Sequence, residues 1–155
     1  YFGDIIANLY ALDATTGELV WQTSPDEHHS ATLTGTPAFA NGNLYVPVSS
    51  LEVVTAANPE YACCTFRGHV MAVNGDDGAV LWDSYAIPDA PISTENTKAG
   101  TKIFGPSGAP VWTSPTIDAE RNLLIFGTGE NYSSPADKNS GAVIAVRLDT
   151  GERVW

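Results

Sequence analysis

The two cysteines of the chain, Cys63 and Cys64, are adjacent. Neighbouring thiols cannot supply two corners of a metal tetrahedron without strain, and a bond between them closes no useful loop. On residue type alone they are either a sulfur site used as a pair or two small apolar side chains on a buried strand. Arg67 and Gly68 follow closely. A guanidinium fork grips a carboxylate with two parallel charge-assisted hydrogen bonds, or caps a strand end beside the surface carboxylates of this chain. His28 and His29 stand side by side in a polar stretch, Ser24 to Thr34. On an extended chain such neighbours point apart, which disfavours a zinc site. Ser, His and Asp are all present, but no nucleophile-elbow sequence joins them. A Cys-x-x-Cys-His haem attachment motif is absent, so any cytochrome would lie elsewhere or be a separate protein.

These candidates must be carried on a small, acidic frame. The chain has 155 residues, 43% of them hydrophobic, enough for one domain-sized core. Seven Lys and Arg face 18 Asp and Glu, a formal charge of -11. With the basic residues scattered singly, a nucleic-acid surface or an anionic membrane is excluded as the main partner. No apolar run reaches the roughly 18 to 20 residues of a membrane span. The start, Tyr1-Phe2-Gly3-Asp4, carries neither an initiator Met nor an export signal. The chain therefore reads as a piece of a longer protein.

Repetition organises it. Ala11-Leu12-Asp13-Ala14-Thr15-Thr16-Gly17-Glu18-Leu19-Val20-Trp21, Ala72 to Trp82 and Ala145 to Trp155 share Ala, Gly and Trp at the first, seventh and eleventh places. Each frame is an apolar strand end, a polar turn and a second strand closing on Trp, which is a β-hairpin. The Gly takes the positive φ of the turn. Because a lone hairpin has no core, each Trp must bury its ring against a neighbouring unit. A second hairpin type alternates with the first, at Gly35 to Pro47 around Asn41-Gly42 and at Thr113 to Phe126. One hairpin of each kind makes a four-stranded sheet. Residues 35–83 form one such unit, residues 112–155 another, and residues 1–22 the last two strands of a third. Residues 84–111 read as an inter-unit loop, and no helical period occurs. The fold class expected is all-β: four-stranded antiparallel blades of a partial β-propeller, about two and a half of them, too few to close the ring.

The Trp frame, the cysteine pair and the Trp112 region together resemble the pyrroloquinoline quinone (PQQ) dependent alcohol dehydrogenases, an eight-bladed quinoprotein family, and most of all their polyvinyl-alcohol dehydrogenase branch. The resemblance covers the whole chain. It implies that Cys63 and Cys64 form a vicinal disulfide lying flat against one face of PQQ, which presupposes an oxidising compartment, the bacterial periplasm. It implies that Arg67 anchors a PQQ carboxylate, although its gap from the cysteines is shorter than in methanol dehydrogenases. Trp112 would stack on the opposite face of the quinone. Counting on from Trp112 through its hairpin reaches Gly127-Thr128-Gly129-Glu130, where the family places an oxygen ligand for Ca²⁺. Glu130 replaces the usual Asn, and either Glu130 or Asn131 would face the metal. Ser107, Gly108 and Ala109 match a segment running along the edge of the PQQ ring. Pro110 then stands where methanol dehydrogenases have a calcium-binding Glu, which leaves either a looser metal site or an accidental match.

The activity implied is oxidation of a small or polymeric alcohol by hydride transfer to PQQ with Ca²⁺ assistance, and an electron-accepting cytochrome c as a possible partner. The catalytic base of the family would fall beyond Trp155, so the isolated chain is expected to show no turnover. Two other readings share the repeats: a non-catalytic propeller of the outer-membrane assembly lipoprotein type, and a sugar-oxidising quinoprotein.

Overall fold

The computed structural model describes all residues, 1–155. Three antiparallel sheets follow one another along the chain. The first is β1 (Phe2–Gly3), β2 (Leu9–Leu12) and β3 (Leu19–Thr23), paired in that order. Its third strand, β1, was not expected from the repeat, because two residues are too few to show a period. The second holds β4 (Ala31–Thr32), β5 (Ala38–Ala40), β6 (Asn43–Ser50), β7 (His69–Asn74) and β8 (Val80–Tyr85). Both β4 and β5 pair with β6, which pairs with β7 and then β8. A single turn of helix, α1 (Glu52–Thr55), leaves the end of β6.

Between the second and third sheets, where a loop was expected, the chain forms a hairpin of β9 (Ile92–Asn96) and β10 (Lys102–Gly105), then β11 (Ser107–Gly108). The third sheet is β12 (Thr116–Asp118), β13 (Leu123–Gly127) and β15 (Val143–Arg147). Its fourth position is taken by the bridge of Arg153 to Val146. Strand β14 (Asn131–Ser133) leaves this sheet to pair with β11.

The middle sheet is apolar on both sides because it has neighbours on both. Leu44, Val46, Val48, Met71 and Val73 pack with Ala7 and Leu9 of the preceding unit and with Leu33, which follows β4. The alternate residues Tyr45, Val70 and Ala72 pack with Leu124, Phe126, Ile144 and Val146 of the following one. Strand alternation thus sends every second side chain into a different core.

The Trp frames tie these layers. In all three, the N–H of the seventh residue donates to the carbonyl of the third, from Gly17 to Asp13, Gly78 to Asn74 and Gly151 to Arg147. Trp21 Nε1 then donates to the Gly75 carbonyl at 2.9 Å, and Trp82 Nε1 to the Leu148 carbonyl at 3.1 Å. Those acceptors are the fourth residues of the next frames. A Cβ on Gly78 would sit 2.9 Å from the Trp21 ring, and one on Gly151 at 2.5 Å from Trp82. With φ of 78° and 70°, both positions suit glycine for conformation and for contact.

Candidate functional site

The cysteine pair lies beyond α1. Cys63 and Cys64 are joined by a disulfide across a cis peptide. Cys64 is fully buried, whereas Cys63 is half-buried and faces a cleft of about 310 Å³ with Tyr61, Ile103, Tyr132 and Ser133. That volume sits at the lower bound of ligand pockets, about 300 Å³. Strand β10 backs the pair: Phe104 N–H donates to the Cys63 carbonyl at 2.7 Å and Cys64 N–H to the Phe104 carbonyl at 3.3 Å. The β9–β10 hairpin, illegible in the sequence, is therefore a wall of this site.

Glu52 was missed by sequence reading. It is completely buried at the start of α1, and its carboxylate accepts hydrogen bonds from the backbone of Thr65 and Phe66 and from Tyr61 Oη. A lone Glu after Ser49-Ser50-Leu51 carries no pattern that distinguishes it from a surface acid. Burial, then the hydrogen bond to Glu52 and its charge, push the Tyr61 phenol up to about 12.

Arg67 is placed differently from the expectation of a free carboxylate anchor. Its guanidinium donates to the carbonyls of Ile87 at 3.0 Å and Pro88 at 2.6 Å, and lies 4.0 Å over the Tyr85 ring. Both bonds come from Nη1, so this side of the guanidinium is held by backbone oxygens rather than by surface acids. It lines neither cleft described here.

Trp112 is 59% exposed and borders a second groove, of about 260 Å³, with Pro110, Glu130, Tyr132 and Thr34. Trp112 and Glu130 thus line the same groove. Trp112 and Cys63 border different clefts, however, and Tyr132 forms a wall of both. Tyr132 is held there because its hydroxyl donates to the Ser50 carbonyl at 3.1 Å and its ring packs against Gly108, where a Cβ would come within 2.9 Å. Burial and the Glu130 charge raise its pKa.

Ser107, Gly108 and Ala109 are buried and support these walls instead of presenting atoms to them. Ser107 Oγ shares a hydrogen bond of 2.5 Å with Ser133 Oγ, and Ala109 N–H donates to the Glu130 carbonyl at 2.8 Å. Asn131 turns its Nδ2 to the Ser133 carbonyl, while its Oδ1 is buried without a partner. Glu130, exposed, is the side chain of the two that faces the groove.

The histidines are not spare. His69 is fully buried between two carboxylates, Nδ1 at 2.6 Å from Asp83 and Nε2 at 2.9 Å from Asp26. Carboxylates accept only, so both ring nitrogens must donate and the ring is an imidazolium. Burial would lower its pKa, and the two acids overcome it and raise it. His28 and His29 do not point apart. Their rings stack at 4.6 Å, because the chain turns at residues 28–30 and is not extended there.

Antiparallel sheets docked one on the next by Trp-to-backbone bonds are blades of a partial β-propeller. The chain belongs to the PQQ_2 family, whose model, described as outer membrane protein assembly factor BamB, matches residues 1–155. It is 36% identical over its whole length to the polyvinylalcohol dehydrogenases of a Pseudomonas species and of Sphingopyxis strain 113P3. It is 30% identical to the quinohemoprotein alcohol dehydrogenase ADH-IIG of Pseudomonas putida. It spans 24%, 24% and 23% of those proteins respectively. The crystal structure of ADH-IIG from P. putida HK5 superposes on 99% of the chain with a TM-score of 0.71 at 27% identity, using 24% of that chain.

Proposed function

We propose that this chain is part of the cofactor-binding wall of a PQQ-dependent alcohol dehydrogenase. The observation that carries the reading is the Cys63–Cys64 disulfide at a cleft that shares Tyr132 with the groove of Trp112 and Glu130. An outward-facing indole and a sulfur pair, in adjoining clefts that share Tyr132, offer two faces suited to a flat aromatic group. When bound, PQQ supplies the redox chemistry, accepting hydride from the carbinol carbon of an alcohol.

The residues of this chain bind and orient. The disulfide offers a polarizable flat face, the Trp112 indole offers a stacking face worth about 0.5–1.5 kcal/mol beyond burial, and the buried segment Ser107-Gly108-Ala109 backs the intervening wall. Arg67 holds the Ile87 and Pro88 carbonyls through Nη1, which leaves the N–H groups of Nη2 and Nε for a cofactor carboxylate. For Ca²⁺ the fit is partial. Glu130 brings one carboxylate to the groove, while the unpartnered Oδ1 of Asn131 is buried beside it, against the six to eight oxygens that the ion takes. Pro110 has no side-chain oxygen to add, so this chain alone falls short of a calcium site.

On this reading the substrate is an alcohol, small or polymeric, the electron acceptor is a cytochrome c, and the compartment is the oxidising periplasm. The scaffold reading, raised by the family description, leaves the disulfide and the Trp112–Glu130 groove without a role. Equilibrium titration with PQQ, followed by tryptophan fluorescence, separates them. Saturable binding that weakens at least tenfold in Trp112→Ala and in a Cys63→Ser, Cys64→Ser double variant is expected. Absence of saturable binding by the wild-type protein contradicts the enzyme reading.

A further inference from the structure

Glu52 has no part in the binding just described, yet it is 0% exposed, and a carboxylate removed from water must be fully hydrogen-bonded to be tolerated. Its partners all belong to the segment that carries the sulfurs. Oε1 accepts from Tyr61 Oη at 2.9 Å, Thr65 N at 2.9 Å and Thr65 Oγ1 at 3.4 Å; Oε2 accepts from Thr65 N at 3.1 Å and Phe66 N at 2.9 Å. Tyr61 and Thr65 bracket Cys63 and Cys64, so one carboxylate grips the chain on both sides of the disulfide. Its own backbone is fixed as well, with Glu52 N donating to Ser50 Oγ at 2.8 Å.

The adjacent histidines complete this arrangement. His28 Nε2 lies 3.0 Å from Thr65 Oγ1 and His29 Nε2 lies 2.9 Å from Tyr61 Oη. Both hydroxyls give their proton to Glu52, so each must receive from its histidine, which assigns the Nε2–H tautomer to both rings. For His28 the other nitrogen agrees, since Nδ1 accepts from Ser30 N at 3.2 Å. His28 Nε2 is also 3.7 Å from Glu52 Oε1. Two stacked imidazoles therefore feed two hydroxyls, and the two hydroxyls feed one buried acid.

We propose that Glu52, braced by His28 and His29 through Thr65 and Tyr61, is the positioning residue that fixes the Cys63–Cys64 plate at the cleft. This rests on the reading of the disulfide as a cofactor face, but the bracing itself is testable without cofactor. Glutamine at 52 keeps the volume and replaces one acceptor by an NH₂ donor, which meets a donor whichever way the amide turns. The plate is then released while the sheets stay packed.

The test is the rate at which a soluble phosphine reduces the disulfide of the folded protein, read by thiol alkylation and mass spectrometry. Glu52→Gln is compared with Ile144→Val, a core variant remote from the loop that controls for lost stability. At least tenfold faster reduction in Glu52→Gln, with Ile144→Val at the wild-type rate, is expected. His29→Phe, which removes a donor to Tyr61, should show a smaller increase. Equal rates in Glu52→Gln and wild type overturn the proposal, as does acceleration in Ile144→Val to the same extent. PQQ titration of the same proteins forms a separate arm. If wild type binds no PQQ, the cofactor reading fails while the reduction rates still decide the role of Glu52.

Discussion

Replacing His69 by Leu takes an imidazolium out from between Asp26 and Asp83 and leaves both carboxylates facing a hydrocarbon. Removing one partner of a buried ion pair costs about 3–5 kcal/mol. Here the side chain of His69 is 1% exposed, but those of Asp26 and Asp83 are 15% and 27% exposed, so water relieves part of the loss. The lower end, about 3 kcal/mol, is the expected value. For a chain of this length each kcal/mol moves Tm by about 2–4 °C, giving a fall of about 6–12 °C in a thermal melt followed by circular dichroism. The pH dependence carries its own sign. The His69 pKa is raised above 6.5, so its contribution is complete below 6.5 and is lost as pH rises through the folded value. Burial would raise the Asp26 pKa, but the bonds from His69 and the His28 backbone hold it below 3.8, so its contribution is present above 3.8 and is lost as pH falls through the lowered value. Tyr85, stacked on His69 at 4.8 Å, and the Arg67 cation above that ring are the other groups facing the imidazolium. The gap between wild type and His69→Leu should therefore be widest between about pH 4 and 6.5 and should narrow at alkaline pH. A Tm change below 2 °C at pH 6, or a gap that widens as pH rises, refutes the reasoning.

Three further outcomes follow from the packing. Trp82→Phe loses the bond to the Leu148 carbonyl and part of the contact on Gly151, and should cost about 1–2 kcal/mol by urea denaturation. Gly68→Ala would drive a methyl group into the Ala109 backbone carbonyl and to 2.6 Å from Pro110 Cα, so loss of about 3 kcal/mol or failure to fold is expected in the same assay. Intact mass of the non-reduced protein should be two hydrogens short of the dithiol value, with Cys63 and Cys64 unalkylated.

The layered sheets were legible because their cause is local. An Ala, Gly and Trp repeated at fixed places encodes a turn, a positive φ and a ring that must dock on the next unit, and each of these appears at Gly78, Gly151, Trp21 and Trp82. The cysteine pair was legible as chemistry only through the family resemblance, because two adjacent thiols on a buried strand can equally be packing. What stayed hidden depends on distant pairing. Strands β9, β10 and β14 are held by partners rather than by periodicity, β9 being exposed along its whole length. Arg67 could not be assigned an acceptor, since Ile87 and Pro88 are near only through the fold. Glu52 and His69 looked like ordinary polar residues, and only burial among donors and carboxylates marks them out. Tyr132 separates two surfaces expected to share one slot, which no spacing rule reports.

A crystal structure of the protein with PQQ tests the site most directly. The cofactor ring should lie in van der Waals contact, about 3.5–4 Å, with the Cys63–Cys64 sulfurs on one face and the Trp112 indole on the other, with Tyr132 displaced from between them. PQQ bound away from both residues, or contacting only one while Tyr132 keeps its bond to Ser50, contradicts it.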